Sequence, residues 1–222
     1  MDKNKQAIEL LQNGKIEKAV QMFTEVIEEN PKDPVGYVNF ANVLISIGEK
    51  ARAESFLKRA IELDDQAAAA YYSYGNYYFN QERYDQAAGM FEKALANGLD
   101  TNDLHYMLGM CFISLGKFAL SLPYLQRSVE LNEEDIEARF QYGLALAQSE
   151  SYKEAIEQLQ KVIETDPQHA DAYYNLAIAN AVTGTEPHDI LSLLDQAIAI
   201  QPDHILALNA RKAVVELVES KN

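Results

Sequence analysis

The 222-residue chain has no tryptophan, one cysteine and only 6 prolines, and its 19 basic residues are outnumbered by 34 acidic ones. A lone Cys111 cannot form an intramolecular disulfide, which fits a reducing compartment, and it reads as a small buried apolar side chain. A formal charge of −15 repels phosphate backbones and anionic membrane surfaces, which sets both nucleic acid and membranes aside as direct ligands. No window approaches the roughly 18 uninterrupted apolar residues of a membrane span. The opening MDKNKQAIELLQNGK is too charged to hold the apolar core of a signal peptide. The expected location is therefore cytoplasmic.

Sites for chemistry are as scarce. His105, His169, His188 and His204 are scattered, and none forms an i, i+4 pair with another histidine or with Cys111, so no metal is expected. No credible strand precedes a glycine-rich phosphate loop, and no cofactor is expected. Acidic pairs such as Asp64-Asp65 and Glu133-Glu134-Asp135 fall in turns, where they serve as helix caps and solubilising charge. His169 and Asp171 likewise bracket a turn. These absences exclude an enzyme as the expected function.

What the chain has instead is a period. Counting from Ala68 as position 1, position 8 is Ala7, Ala41, Gly75, Gly109, Gly143 and Ala177, an unbroken series of small residues every 34 residues. Position 20 is Ala19, Ala53, Ala87, Ser121 and Ala155, and position 24 is Phe23, Leu57, Phe91, Leu125 and Leu159. Positions 4, 7, 8 and 11 follow the helical period in the first half of each unit, and positions 20, 24, 28 and 31 do so in the second. Each unit is thus two amphipathic helices that approach closely at the small residues. Gly14, Gly48, Gly116 and Gly184 sit where the first helix must stop, with Glu82 and Glu150 in the same place, and Pro31 and Pro167 separate units. One extra residue in Gly184 to Ile190 shifts the sixth unit, so its turn should differ. Pro123, inside the second helix of the fourth unit, predicts a kink or a late helix start.

This pattern resembles the tetratricopeptide repeat, whose signature combines an aromatic, a Leu-Gly pair, a Tyr, then Ala, Phe, Ala and Pro. The match runs through Tyr71, Tyr74-Gly75, Tyr78, Ala87, Phe91 and Ala94, and again through Tyr142-Gly143, Leu146, Ala155, Leu159 and Pro167. His105 and Arg139 depart from the aromatic at position 4, and Asn180 from the Tyr at position 11. The resemblance implies an all-α fold, a right-handed superhelical solenoid of antiparallel helix pairs forming a single array over 1–222. Its repeats fall at about 1–33, 34–67, 68–101, 102–135, 136–169 and 170–204, with a capping helix at 205–219. Such a helix covers the last repeat, and Arg211, Lys212, Glu216 and Glu219 are expected on its outward side. Lys3 and Gln6 make the first helix polar where no repeat precedes it.

The resemblance also implies a function, that of a protein-interaction scaffold or adaptor with a partner in its concave groove. Family members line that groove with positions 2, 5, 9, 12 and 13. Here position 5 supplies Val38, Tyr72, Tyr106, Phe140 and Tyr174, position 9 supplies Asn42, Asn76, Met110, Leu144 and Ile178, and position 12 supplies Phe79 and Ile113. Position 2 adds an acidic rim of Asp103, Glu137 and Asp171. The expected ligand is a peptide or protein segment with apolar residues flanked by Lys or Arg. Asn42 and Asn76 are placed to bond its backbone. The Lys and Asn clamp with which relatives hold a chaperone's C-terminal carboxylate is missing, and Asp103 and Met107 occupy two of its places. Two alternatives stay open: a self-associating protein whose groove is covered by another copy, so that a homo-oligomer is compatible with the sequence, and a non-catalytic subunit of an enzyme complex.

Overall fold

A computed structural model describes residues 3–220, and Met1 and Asp2 of the expected first repeat lie outside the described residues. Among the described residues there are thirteen α-helices and no strand. They divide into two compact units, Met1–Cys111 and Phe112–Asn222. The first contains α1 (Lys3–Gln12), α2 (Ile16–Glu29), α3 (Pro34–Ser46), α4 (Lys50–Leu63), α5 (Ala68–Phe79), α6 (Tyr84–Ala96) and most of α7 (Asn102–Ser114). The second contains α8 (Phe118–Leu131), α9 (Ile136–Gln148), α10 (Tyr152–Thr165), α11 (Ala170–Val182), α12 (Pro187–Ile200) and α13 (Ile205–Glu219). Within each unit the packed pairs are α1 with α2, α3 with α4 and α5 with α6, then α9 with α10 and α11 with α12. Turns of three or four residues leave such neighbours no option but to run antiparallel.

Close packing inside each pair depends on the small residue at position 8. A Cβ placed on Gly75 would lie 2.4 Å from Cε1 of Phe91, which has no exposed surface of its own. Gly143 meets Leu159 at 3.0 Å in the equivalent contact. Ala19, Ala53, Ala87, Ser121 and Ala155 are fully buried, as are the position-24 residues Phe23, Leu57, Phe91, Leu125 and Leu159. One line of large side chains thus meets one line of small ones, which is how interdigitated helices reach protein-interior density.

The stop signals act as expected. Gly14, Gly48, Gly116 and Gly184 have φ between 69 and 84, and Glu82 and Glu150 adopt φ 59 and 62 in the same register. In each turn the next amide reaches back over five residues, as in Lys15 N–H to the Leu10 carbonyl at 2.9 Å and Arg83 N–H to the Tyr78 carbonyl at 3.0 Å. This is the Schellman closure, and two glutamates pay its left-handed cost without glycine's freedom. The inserted residue changes the sixth turn as expected. Glu186 caps α12 in an extended conformation (φ −60, ψ 139), whereas the corresponding caps Lys15, Glu49, Arg83, Lys117 and Ser151 hold ψ between 57 and 61. Asn180 belongs to this change, because its side-chain oxygen accepts from Thr185 Oγ1 at 3.0 Å and its Nδ2 donates to the Leu176 carbonyl at 2.9 Å. Pro123 does not delay α8, which begins at Phe118 and runs through it.

One polar network crosses a repeat boundary inside the first unit. Glu54 of α4 accepts from the Tyr74 hydroxyl at 3.0 Å, the Tyr77 hydroxyl at 3.2 Å and Lys58 at 2.7 Å, and Tyr78 donates to the Tyr74 hydroxyl at 2.8 Å. The three tyrosines are buried. At the front, Lys3 pairs with Glu29 and with Glu25 of α2, the latter at 3.7 Å. At the back, Arg211, Lys212, Glu216 and Glu219 of α13 are exposed, as expected of its outward side. Ala207 is buried, Ala210 and Val214 pack on the core, and Arg211 pairs with Asp195 at 2.5 Å, yet Ile205, Leu206, Leu208 and Leu217 are exposed. The outward side of α13 is therefore partly apolar.

Candidate protein-binding surface

The expected surface residues fall into two groups by burial. Val38 and Phe140 are core residues, 6% and 8% exposed. Val38 packs with Ala60 and Ala70, and Phe140 packs with Leu159, Val162, Ala172 and Leu176. In these two repeats the position-5 side chain packs against an alanine of the next first helix, Ala70 or Ala172.

In the first unit, Tyr72 is half-buried with its ring centroid 5.6 Å from that of Phe91. Burial pushes its hydroxyl above the ordinary tyrosine range, a hydrogen bond from Asn76 opposes that shift, and the charge of Asp103 adds to it. Tyr72 and Asn76 of α5 are thus paired, and the charge of Asp103 on α7 reaches the Tyr72 hydroxyl. Asn76 is engaged with its own neighbour, while Asn42 on α3 is exposed. Phe79 meets Tyr84 edge-on at 5.3 Å, and Tyr106 and Met110 are half-buried.

In the second unit the surface is more open. Ile113 and Leu144 are half-buried, and Leu144 leans on the Phe140 core. On α11, Tyr174 is half-buried, Ile178 is 37% exposed and Val182 is 55% exposed. These three residues are four apart, so they form one stripe of the helix. Glu137 and Asp171 are exposed; Glu137 accepts from Gln141 at 2.8 Å and Asp171 from His204 Nε2 at 3.1 Å.

The two histidines do work that the sequence reading passed over. His169 caps α11 by accepting the Ala172 N–H on Nδ1 at 3.2 Å, and His204 caps α13 by accepting the Ala207 N–H at 3.2 Å. Each ring also lies against the position-5 ring of the preceding first helix, His169 on Phe140 at 4.4 Å and His204 on Tyr174 at 5.2 Å. The signal was present: these histidines occupy the register of Asp33 and Asp135, which are recognisable N-cap residues. Arg139, one of the departures at position 4, is held by Gln158 at 3.0 Å and by the Glu133 carbonyl at 2.9 Å beside a polar cleft of about 280 Å³. Burial pushes the Cys111 thiol up to about 12, which leaves it inert near neutral pH. Among the described residues no helix is long and apolar enough to cross a membrane, and no three His, Cys, Asp or Glu side chains converge as metal ligands.

Profiles of the tetratricopeptide repeat match residues 10–74 and 72–136, and a further TPR repeat profile matches 143–184. With helix pairs in the same register throughout, the chain belongs to the tetratricopeptide-repeat family. Its structure is similar to that of YrrB from Bacillus subtilis, a TPR protein with an unusual peptide-binding site. The TM-score is 0.82 at 51% identity, covering 86% of this chain and 97% of that one. Direct sequence alignment to YrrB, also at 51%, is confined to 39 residues, so the likeness over the full length rests on the structural superposition. The chain is 26% identical to anaphase-promoting complex subunit 3 of Schizosaccharomyces pombe over 81% of its own length and 27% of that protein's. Against PilF of Pseudomonas aeruginosa the TM-score is 0.77 at 19% identity over 95% and 96% of the two chains, a likeness of fold. The chain spans 27% of the length of anaphase-promoting complex subunit 3 and 38% of that of the TPR repeat-containing protein YpiA of Bacillus subtilis.

Proposed function

We propose that this protein is a non-catalytic interaction module that binds a peptide or protein segment along the faces of its first helices. Proteins of this family generally act as scaffolds for other proteins, and the finer reading concerns how. The observation that carries it is the α11 stripe of Tyr174, Ile178 and Val182, left open beside the exposed carboxylate of Asp171. Exposed aliphatic side chains in line on a rigid helix gain when a ligand covers them. The ligand class is an apolar segment flanked by Lys or Arg, with Asp103, Glu137 and Asp171 as the acidic rim that speeds and selects its approach. The peptide-binding site of YrrB supports the same reading.

The test is a peptide array of aliphatic and aromatic cores with Lys, neutral or Glu flanks. Affinity for the best binder is then measured on the wild type and on Tyr174→Ala with Ile178→Ala. Losing two central contacts of about 1–2 kcal/mol each weakens binding at least tenfold. Undiminished affinity, or a preference for Glu flanks, discards the proposal. Phe140, as a core residue, is not a useful probe. A second reading, that another copy covers the apolar surface, is favoured by the exposed Ile205, Leu206, Leu208 and Leu217 of α13. Sedimentation at several concentrations decides it, since a strict monomer is incompatible with that reading.

A further inference from the structure

Where position 4 keeps its aromatic ring, the ring both makes a hydrogen bond and offers a face. In the second repeat the Tyr37 hydroxyl donates to the Pro31 carbonyl, at position 32, at 3.1 Å. In the third, Lys93 at position 26 lies over the Tyr71 ring at 5.6 Å. The fifth repeat replaces the ring with Arg139, whose Nη2 donates to the Glu133 carbonyl, again at position 32, at 2.9 Å. The guanidinium thus inherits the hydrogen bond of the phenol but not its bulk or its face. Lys161, at position 26 of this repeat, has no ring to lie on, and its exposed ammonium makes no ion pair among the described residues. Two cations therefore border one opening.

That opening is the polar cleft of about 280 Å³ beside Arg139, and all of it belongs to the second unit. Glu130 of α8 and Glu133 just beyond it form one wall, and Gln158 and Lys161 of α10 form the other. Arg139 and Tyr142 come from α9, which packs against both. Charge is divided across the cleft, acid on the α8 side and base on the α10 side. Arg139 spends one N–H on Gln158 and one on the Glu133 carbonyl, which leaves the rest of its fork available. Burial pushes the Tyr142 hydroxyl above the ordinary tyrosine range, and the charges of Glu130 and Glu154 add to the shift, so the phenol stays protonated as a donor. Glu130 already accepts from Gln126 at 3.0 Å and Arg127 at 3.5 Å, whereas the exposed Glu133 carboxylate accepts no hydrogen bond among the described residues.

We propose that this cleft binds an extended segment of a partner protein carrying an acidic and a basic side chain two residues apart, the carboxylate taken by Arg139 and Lys161 and the cation by Glu133. Residues two apart in an extended chain point the same way, so both side chains enter together. A guanidinium fork fits a carboxylate in plane, and the ammonium of Lys161 adds charge. A ligand of one sign would leave one wall uncompensated, and a purely acidic one is repelled by the charge of −15. The cleft lies just below the roughly 300–1,000 Å³ of small-molecule pockets, a size for side chains rather than a cofactor. It involves positions 4 and 7 of α9, so the proposal stands apart from the apolar stripe of α11.

The experiment is an NMR titration of the isotope-labelled full chain with acetyl-Glu-Ala-Lys-methylamide, with the Gln-Ala-Lys and Glu-Ala-Gln forms as comparisons. The first should shift the Arg139 Nε–H and the Gln158 side-chain amide saturably, and each comparison should bind at least fivefold more weakly. Lys161→Gln, a surface change, should weaken the Glu-Ala-Lys compound at least fivefold and leave the Gln-Ala-Lys compound unaffected. Arg139→Tyr restores the ring and should abolish the response. Equal shifts from all three compounds, no shift from any, full affinity in Lys161→Gln, or a response that persists in Arg139→Tyr each overturn the proposal. Tyr174→Ala with Ile178→Ala should leave this titration unchanged; a loss there would move the compound to α11 and overturn the proposal, while the peptide array tests that stripe separately.

Discussion

Glu82 and Glu150 hold the left-handed backbone at φ 59 and 62 that glycine holds in the other repeats. For an L-residue this conformation costs about 1–2 kcal/mol, partly offset by the greater freedom that glycine regains on unfolding. Replacing either by Gly should stabilise the protein by about 0.5–1 kcal/mol, readable as a higher denaturant midpoint at unchanged slope. Gly75→Ala should act the other way by about 1–3 kcal/mol, since the new methyl meets the Phe91 ring rather than a flexible tip. Glu54 offers a pH test. Its hydrogen bond from Lys58 holds the carboxyl below the usual range against the opposing effect of burial, with Tyr74 and Tyr77 adding to the lowering. A depressed carboxyl stabilises the fold above its unfolded pKa and loses that contribution as pH falls through the folded one. The stability gap between wild type and Glu54→Gln should therefore be largest near neutrality and close in acid. A gap independent of pH would show that the carboxylate charge contributes nothing.

At the scale of helices, the cap of α13 can be tested alone. His204→Ala removes an N-cap acceptor worth about 1 kcal/mol together with the contact to Tyr174, so hydrogen exchange should quicken across Ile205–Glu219 and little elsewhere. Thirteen helices, their turns and their buried stripes were legible in the sequence because period and small-residue spacing are one-dimensional signals. Phe140 was not legible as a core residue, because position 5 lies at the edge of the stripe, where Phe140 is buried and Tyr106 and Tyr174 are only half-buried. Asn180 looked like a flaw at position 11 until Thr185 was seen to bond it across the altered turn. The exposed leucines of α13 went unread because helical spacing says which residues share a face and not how much of that face a neighbour covers.

For the molecule as a whole, charge is the dominant long-range property. At −15, its attraction for a Lys- or Arg-flanked ligand acts over about 10 Å at 0.1 M salt and about 3 Å at 1 M. The association rate should fall steeply across that range while the dissociation rate changes little, as stopped-flow measurements can separate. A salt-independent association rate would count against the acidic rim.

The near-identity of the five caps Lys15, Glu49, Arg83, Lys117 and Ser151 has a bearing on how such a chain can be edited. Each ends its turn with almost the same pair of backbone angles, so excising the 34 residues from Tyr84 to Lys117 rejoins Arg83 to Phe118 with a like stub for a like stub. Splices of that length match the backbone at the seam among these five points. The sixth turn, with Glu186 extended and Pro187 behind it, has no matching stub, so a whole-repeat splice across Gly184 meets a mismatched backbone.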